Sequence, residues 1–512
     1  MKRANKTDND KTESQHTSSG DKQRESLPLY QSLLRNSPSW LASLVTHVVL
    51  LVILGLWLLP ELPAQVTADL NVSPSDIQEQ LEENIEFETD PVELEEEIVE
   101  YEEQPETTLI EENVSFAVTN DLESAPAAEI AVMDIGSDIA PLLTVANALG
   151  GGGSGLSGRG HMARAVMVRK GGGNAASETA VGLALAWIAE HQNPDGSWSF
   201  DHTQFRCQGR CADKGTRGDA IAGGTAMALL PFLGAGNTHM AGDYQAVVRQ
   251  GLTALVQQMK ANKNGGSFID SGQMYSHGLA AITLCEAYGM TNASRLQGPA
   301  QLALNFITFA QDPVGGGWRY GPKQPGDTSV VGWQIMALKS GHMSYLMVPA
   351  STVRGASAFL DSVQVEGGIG YGYTAGASSY GNATSAIGLL CRMYLGWKRD
   401  NERLIEGVKR IAAIGPATDN AYYNYYAAQL LFQYTGGEGE LWETWNTQLR
   451  DFLVNAQAKE GHKKGSWFLS GGHGEAGGRL YNTAMCCMTL EVYYRHMPIY
   501  QRDAVEANFP EE

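Results

Sequence analysis

Apolar runs of helical character alternate with short polar turns over the C-terminal two thirds of the chain. In the first copy of this pattern, apolar positions from Val181 to Ile188 precede the turn 192–198. After a polar loop, a second apolar run from Ile221 to Phe232 is rich in alanine and glycine. Dense apolar positions at helical spacing predict buried helices. The repeating unit is therefore predicted to be a helix pair.

The turn returns along the chain, led each time by a glutamine that precedes a glycine and an aromatic residue. The five copies are Gln192, Gly196 and Trp198; Gln258, Gly265 and Phe268; Gln311, Gly315 and Trp318; Gln364, Gly367 and Tyr371; and Gln457, Gly465 and Trp467. Three intervals between the glutamines are 66, 53 and 53 residues, and the last is 93. We expect one further copy, the fifth of six in chain order, near Ile414-Gly415-Pro416; it has lost its glutamine and aromatic residue. A period near 50 residues predicts an array of one supersecondary unit.

The turn has a physical explanation. Pro194-Asp195-Gly196 stops the first helix, and the glycine adopts a backbone conformation that other residues resist. We expect Trp198 to fold back over the helix end and Gln192 to cap free backbone groups there.

The pattern Gln192-xxx-Gly196-x-Trp198 resembles the repeats of squalene–hopene cyclases. From about Glu178 to Tyr500 the chain resembles the α/α-toroid superfamily of terpenoid cyclases and protein prenyltransferase β subunits. The resemblance implies an all-α fold, a closed α/α toroid of about six helix pairs. It is less specific for the reaction, because one fold can carry many functions.

The region before the repeats predicts a membrane anchor. Residues 1–38 are polar and predicted to be a disordered cytoplasmic tail, and the anchor is assigned to 39–60. Trp40 to Leu59 holds 20 residues without a charge, enough to cross a bilayer core of about 30 Å. A cleaved signal peptide has a short leader, so an uncleaved anchor is favoured. Seven Lys and Arg residues precede the span and none occurs in 61–158, which predicts a cytoplasmic N-terminus and an extracytoplasmic C-terminal domain at the cell membrane.

Charge is concentrated between the anchor and the repeats. The chain has a net charge of −21 over 512 residues, and residues 61–158 carry 24 of its 57 acidic residues without any base. Residues 61–176 are therefore predicted to be an acidic, then glycine-rich, disordered linker. The repeat domain, 177–500, is near neutral and is followed by a tail, 501–512. No basic surface for nucleic acid is indicated.

Aromatic and polar residues cluster where the inner helices of a toroid would begin. The candidate ligand-binding residues are Tyr275, His277, Thr328, Trp333, Tyr380, Tyr422, Tyr423 and Tyr481, joined by His473, Glu475 and Arg479 of the loop 462–479. An aromatic cavity suits an apolar or polyprenyl-like ligand, and the loop could bind an anionic head group. The alternative is that the tyrosines fill the middle of the ring.

The catalytic motifs implied by the resemblance are incomplete. Cyclases that protonate an alkene carry Asp-x-Asp-Asp-Thr, of which Gln324-Pro325-Gly326-Asp327-Thr328 keeps only the last two residues. Prenyltransferases bind zinc with Asp-x-Cys and a histidine; here Ser329 replaces the cysteine and a tyrosine replaces the histidine. No metal set and no cofactor is predicted, and Asp327 remains the candidate catalytic residue. Glycan hydrolysis by paired carboxylates stays open, since the sequence does not determine their separations.

Two of the six cysteines, Cys207 and Cys211, share one loop. In an oxidising compartment we expect them to form a disulfide, and a zinc site with His202 is the alternative. The other four lie in apolar helices and are expected in the core.

The preferred function is binding of a hydrophobic or polymeric envelope ligand, such as an isoprenoid or lipid, or of an envelope protein. The alternative is a terpenoid cyclase or prenyl-transferring enzyme that uses Asp327 and an aromatic central cavity.

Overall fold

The computed structural model describes His47, Arg159 and residues 161–471 and 473–496. The predicted cytoplasmic tail, the anchor apart from His47, most of the linker and the C-terminal tail lie outside these residues. Within the described part of the chain, none of the helices has the length and apolar character needed to span a bilayer.

Twelve helices form six pairs, with one helix of each pair inside the ring and one outside. The inner helices are α3 (Ile221–Gly234), α5 (Gln273–Thr291), α7 (Thr328–Met343), α9 (Asn382–Tyr394), α11 (Ala421–Thr435) and α13 (Gly474–Leu490). The outer helices are α2 (Ala175–Glu190), α4 (Gln245–Gln257), α6 (Ser294–Ala310), α8 (Ala350–Ser362), α10 (Glu402–Ile414) and α12 (Glu440–Ala456). Each inner helix packs on the next, and α13 packs on α3. The described chain is therefore a closed α/α toroid, as the repeats predicted.

Burial separates the two rings. Every residue of α3 from Ala222 to Gly234 is buried, whereas the outer helix α4 buries one apolar stripe around Val248 and Leu252. Helices that are apolar on all sides need neighbours on all sides, while an amphipathic helix covers a core with one face. The sequence composition of each helix thus decides its layer.

Helix α1 (His161–Gly171) corrects the linker prediction. Gly171 at its end and the glycines that follow, predicted to be part of the disordered linker, are packed against the outer helix α12. Trp442 Nε1 donates to the Gly171 carbonyl at 2.8 Å, and Arg450 donates to the Gly172 carbonyl at 2.6 Å. A Cβ atom at Gly171 would lie 2.8 Å from the Tyr493 ring. Glycine is required here for close packing, which composition does not distinguish from flexibility.

Two short antiparallel hairpins follow the second and fourth outer helices. Strands β1 (Lys260–Asn262) and β2 (Gly265–Ser267) pair with Lys260 opposite Ser267. Strands β3 (Gln364–Val365) and β4 (Gly370–Tyr371) pair with Gln364 opposite Tyr371.

The predicted glutamine cap is confirmed in three copies. Gln192 Nε2 donates to the carbonyls of Gly196, 2.9 Å away, and Val247 of the next outer helix, 3.0 Å away. Trp198 Nε1 donates to Ile188 O at 2.8 Å, across the end of α2. The glutamines of the third and sixth copies make the same pair of bonds, from Gln311 to Gly316 and Thr352, and from Gln457 to Gly465 and Ala180. We call this arrangement the glutamine clamp.

The glycine of the clamp is required by geometry. Gly196 has φ +90°, and a Cβ atom there would lie 2.6 Å from the Gln250 carbonyl of α4. Gly465 has φ +91° and meets the Leu183 carbonyl of α2 in the same way. Each clamp therefore brings a turn into direct contact with the next outer helix.

Two glutamines do not form clamps, contrary to the expectation from the repeat. Gln258 is exposed, and Gln364 Nε2 is 3.3 Å from Asp361 Oδ1. Gln258 precedes the first hairpin and Gln364 is the first residue of the second. The strands of these hairpins pair backbone groups that a glutamine would otherwise satisfy.

The clamp predicts a measurable contribution to stability. Gln311→Ala should lower the free energy of unfolding by about 1–3 kcal/mol, because two backbone carbonyls lose their shared donor. Denaturant unfolding of the full chain would measure this loss. The exposed Gln258→Ala is the matched control and should change stability by about 0.5 kcal/mol or less. Equal losses in the two variants would contradict the clamp.

Buried ions lie at the C-terminal ends of the inner helices. Glu286 of α5 pairs with Arg159 at 2.8 Å and with Arg495 of α14 (Val492–Arg495) at 3.0 Å. Arg495 also donates to the Leu230 carbonyl of α3 at 2.6 Å. We call Arg159, Glu286, Glu491 and Arg495 the buried ion cluster. It ties α3, α5, α13 and α14 together at one end of the ring.

Candidate functional site

Asp327, the candidate acid, is the N-cap of α7. Its Oδ1 accepts the Val330 N–H at 2.8 Å, and its own N–H donates to Trp318 O at 2.9 Å. The side chain is fully buried, and this burial raises the pKa of its carboxyl to about 6. The residue serves as a helix cap, which accounts for an aspartate at this position.

Aromatic side chains from α7 and α11 meet at the centre of the ring. Trp333 stacks on Tyr425 with 5.7 Å between ring centroids, and Tyr426 lies edge-on to Trp333 at 5.6 Å. Tyr422 contacts Tyr426 at 5.1 Å, and its hydroxyl is 2.5 Å from Ser329 Oγ. We call Trp333, Tyr422, Tyr425 and Tyr426 the aromatic plug. All four side chains are buried and contact one another.

Tyr481 and Tyr275 lie at two further inner helices. Tyr481 of α13 is buried, and its hydroxyl has no hydrogen-bond partner among the described residues. Tyr275 at the start of α5 is half-buried, 6.2 Å from the Tyr320 ring. Burial raises the pKa of both phenols.

His277 has a structural environment. Its Nδ1 accepts the Phe268 N–H at 3.2 Å, and its Nε2 is 3.1 Å from Ala303 O, so both ring nitrogens are paired. Burial lowers its pKa to about 4. In other copies a hydroxyl accepts the same turn amide: these are Thr225, Ser385 and Thr483. His277 replaces that hydroxyl in the second copy.

Three other candidate ligand-binding residues contact neighbouring groups of the toroid itself. Thr328 Oγ1 donates to Gly372 O at 2.6 Å, and Tyr423 OH donates to Gly415 O at 3.1 Å. The Tyr380 ring lies under the guanidinium of Arg410, 3.6 Å from its centroid, beside the outer helix α10. The structure therefore does not bring these side chains together with the aromatic plug.

The candidates from the segment 462–479 divide between surface and core: His473 precedes α13, and Glu475 and Arg479 lie in its first turns. His473 and Glu475 are exposed, and the His473 ring is edge-on to Tyr422 at 5.3 Å. Arg479 is buried, forms an ion pair with Asp213 and donates to Ser466 Oγ at 3.1 Å. The Arg479 guanidinium therefore connects α13 to the loop that contains Asp213.

The predicted disulfide is not formed in the structure, where Cys207 and Cys211 are free. Both thiols lie beside His191 and His462, which the sequence analysis did not select. His191 ends the first outer helix and His462 lies in the turn after the last one. Closure of the ring brings these two turns together. Placing the first and last repeats side by side would have identified both histidines from the sequence.

A groove of about 520 Å³ lies on the outer wall, between the end of α10 and the first half of α12. Its walls include Ile414 from α10 and Leu441, Thr444 and Trp445 from α12. This is the copy that lacks the glutamine and the aromatic residue. Trp445 Nε1 is buried and has no hydrogen-bond partner among the described residues. The groove thus occupies the position that the glutamine clamp fills between other outer helices.

No family model matches the chain, and no curated protein matches it. Solved structures that match include the GH76 α-mannanase BT2949 of Bacteroides thetaiotaomicron, 13% identical, with 66% of this chain and 100% of that chain covered and a TM-score of 0.45. An inactive variant of the α-1,6-mannanase GH76A of Salegentibacter sp. HEL1_6 is 9% identical, with 62% and 99% covered and a TM-score of 0.43. The type II terpene cyclase MstE of Scytonema is 13% identical, with 62% and 98% covered and a TM-score of 0.41. The chain is thus similar to α/α-toroid enzymes of two kinds.

Proposed function

We propose that this chain is a membrane-tethered, extracytoplasmic binding domain whose ligand is a polypeptide held on the outer wall of the ring. The observation that carries the proposal is the aromatic plug. A cyclase needs a concave apolar cavity that surrounds its substrate. Here the side chains that would line such a cavity, Trp333, Tyr422, Tyr425 and Tyr426, are buried against one another.

The environment of Asp327 supports the same conclusion. A general acid must reach the atom that it protonates. The Asp327 carboxyl is fully buried, and Oδ1 is engaged as the cap of α7. The Ser and Tyr residues in place of metal ligands leave no zinc set at this position.

The groove between α10 and α12 supports a polypeptide occupant. In the intact copies, the same space is bridged by an amide group that bonds backbone carbonyls. At the groove this bridge is missing, and Ile414, Leu441 and Thr444 line the gap between the two outer helices. An extended polypeptide offers apolar side chains for Ile414 and Leu441.

One experiment tests the enzyme alternative. Full-length chain purified from its host membranes, and its Asp327→Asn variant, would be compared by native mass spectrometry with lipid extraction. Asparagine preserves a helix cap, so the variant should fold normally. We expect no stoichiometric isoprenoid in either protein. A prenyl lipid whose mass or retention time changes in Asp327→Asn would overturn the proposal in favour of a cyclase or transferase.

A second experiment tests the groove. A photo-crosslinking residue at Thr444, in the full chain in its host, should form an adduct with one polypeptide other than this chain. The same residue at Thr253, exposed on the outer helix α4, is the matched control and should not. Leu441→Lys should remove the adduct, because it places a charge in the groove. Adducts only with lipid, adducts only with a second copy, or equal labelling from Thr253 would each contradict the proposed partner.

A further inference from the structure

Four side chains from the two ends of the repeat domain meet at one point. His191 is the C-cap of α2, Cys207 and Cys211 lie in the loop that follows, and His462 lies in the short 3-10 turn Gly461–Lys463. His462 is 255 residues from Cys207 along the chain. They become neighbours because the sixth copy packs beside the first when the ring closes.

The distances suit one tetrahedral ion. Cys211 Sγ is 3.2 Å from His462 Nδ1 and 3.5 Å from His191 Nε2, and Cys207 Sγ is 3.9 Å from His462 Nδ1. All four atoms lie within 4.8 Å of one another. Zinc bonds of about 2.3 Å to sulfur and 2.0–2.1 Å to nitrogen, in tetrahedral geometry, separate the ligand atoms by roughly 3.3–3.8 Å.

Hydrogen bonds from neighbouring groups orient the nitrogen and sulfur atoms of this cluster for metal binding. His191 Nδ1 is 2.7 Å from Trp187 O, where it can only donate, so the lone pair of Nε2 is directed to the thiols. Such a bond orients the ring of a metal-binding histidine and sets its tautomer. The Cys211 N–H donates to Cys207 Sγ at 3.4 Å, a contact that supports a thiolate.

We propose that His191, Cys207, Cys211 and His462 bind one Zn²⁺ ion that fastens the first repeat to the last. Four protein ligands leave no open position, which is the arrangement of structural rather than catalytic zinc. Two thiolates and two imidazoles in tetrahedral geometry select zinc over harder ions such as Mg²⁺ or Ca²⁺. Three of the four side chains are buried and His462 is half-buried, so the ion is shielded from solvent.

The proposed zinc site lies where the last repeat packs on the first, and other contacts also join these two repeats. Gln457 Nε2 donates to Ala180 O at 2.8 Å, and Arg479 of α13 pairs with Asp213 of the first copy. The ion adds a link between segments that are far apart in sequence, where fixing the chain ends restricts the unfolded chain most. The zinc site is independent of the groove and of the proposed partner.

Metal content tests the proposal directly. Full-length chain purified with a thiol reductant and without chelator should contain about one zinc ion per molecule by inductively coupled plasma mass spectrometry. Cys207→Ser and His462→Gln should each lower this content at least tenfold. His202→Gln is the matched control: His202 packs edge-on to His191 at 5.5 Å but is not in the ligand set, so this variant should keep its zinc.

Three results would overturn the proposal. They are wild-type protein that binds no zinc when Zn²⁺ is supplied, full zinc content in Cys207→Ser, or a Cys207–Cys211 disulfide shown by an intact mass lower by two hydrogens. If the variants do not fold, wild-type chain stripped with a chelator and reloaded with Co²⁺ decides the question. Thiolate-to-cobalt charge-transfer bands with tetrahedral ligand-field absorption would support the site, and their absence would exclude it. None of these readouts depends on partner binding.

Discussion

Replacing Glu286 with alanine is expected to lower the free energy of unfolding by about 3–5 kcal/mol, because the variant removes the carboxylate that two buried guanidinium groups share. Only Glu491, 3.7 Å from Arg495, then remains as a carboxyl partner in the cluster. Glu286 is the acceptor for both Arg159 and Arg495, at 2.8 Å and 3.0 Å, and all three side chains are nearly inaccessible to solvent. Denaturant unfolding of the full chain measures the loss. Glu190→Ala, which removes an exposed carboxylate at the end of α2, is the control and should change stability by about 0.5 kcal/mol or less.

The same cluster predicts how stability depends on pH. Burial acts to raise the pKa of Glu286, but the guanidiniums of Arg159 and Arg495 outweigh it and hold the pKa below the ordinary value. A carboxyl whose pKa is lower in the folded state contributes stability above its unfolded pKa, and this contribution is lost as the pH falls through the folded pKa. Burial raises the pKa of Glu491 to about 8, so its contribution is lost as the pH rises through that value. Stability should therefore be highest between these two limits.

Glu286→Gln separates charge from packing. It keeps the shape of the side chain, and its unfolding free energy should depend less on acid pH than that of the wild-type protein. A loss below about 1 kcal/mol in Glu286→Ala, or an unchanged acid dependence in Glu286→Gln, would show that the cluster does not hold the inner helices together.

Trp333→Ala is expected to cost about 3–5 kcal/mol, because it opens a cavity in the middle of the aromatic plug. The indole contacts Tyr425, Tyr426 and Tyr422 with centroid distances of 5.7, 5.6 and 6.3 Å. An apolar cavity of this kind binds small aromatic molecules. Added indole should therefore recover part of the lost stability, as measured by thermal unfolding with and without it.

Trp333→Phe is the matched variant for this test. It keeps an aromatic ring and should lose less stability than Trp333→Ala, with a weaker response to indole. If the centre of the ring were instead an open ligand cavity, Trp333→Ala would cost little stability and would respond weakly to indole. That outcome would also remove the support that the aromatic plug gives to the proposed binding function.

Ring architecture was predictable because its signals are local. The glutamine clamp joins residues four to eight positions apart, from Gln192 to Gly196 and from Gln457 to Gly465 at the two extremes, and adds one bond to the next outer helix. The repetition of this short pattern along the sequence predicts both the helix pair and the stacking of successive pairs. The clamp fails at Gln258 and Gln364, since the number of residues after each helix permits a hairpin that pairs the same backbone groups.

The residue pattern established the repeated helix pair, the helices that are apolar on all sides, and the loss of the glutamine and aromatic residue from the copy near Ile414. It also led us to expect clamps at Gln258 and Gln364, which the structure does not form. Helix packing placed Trp333 against Tyr422, Tyr425 and Tyr426, and the glycines after α1 against α12. Ring closure brought His191 and His462 to Cys207 and Cys211. The physical reason is that these contacts depend on the rotation of each helix about its axis and on closure of the ring. The helical period of the sequence defines the buried face of a helix only to within a few residues, so it does not determine that rotation. Closure of the ring brings together residues that are more than 250 positions apart in the sequence.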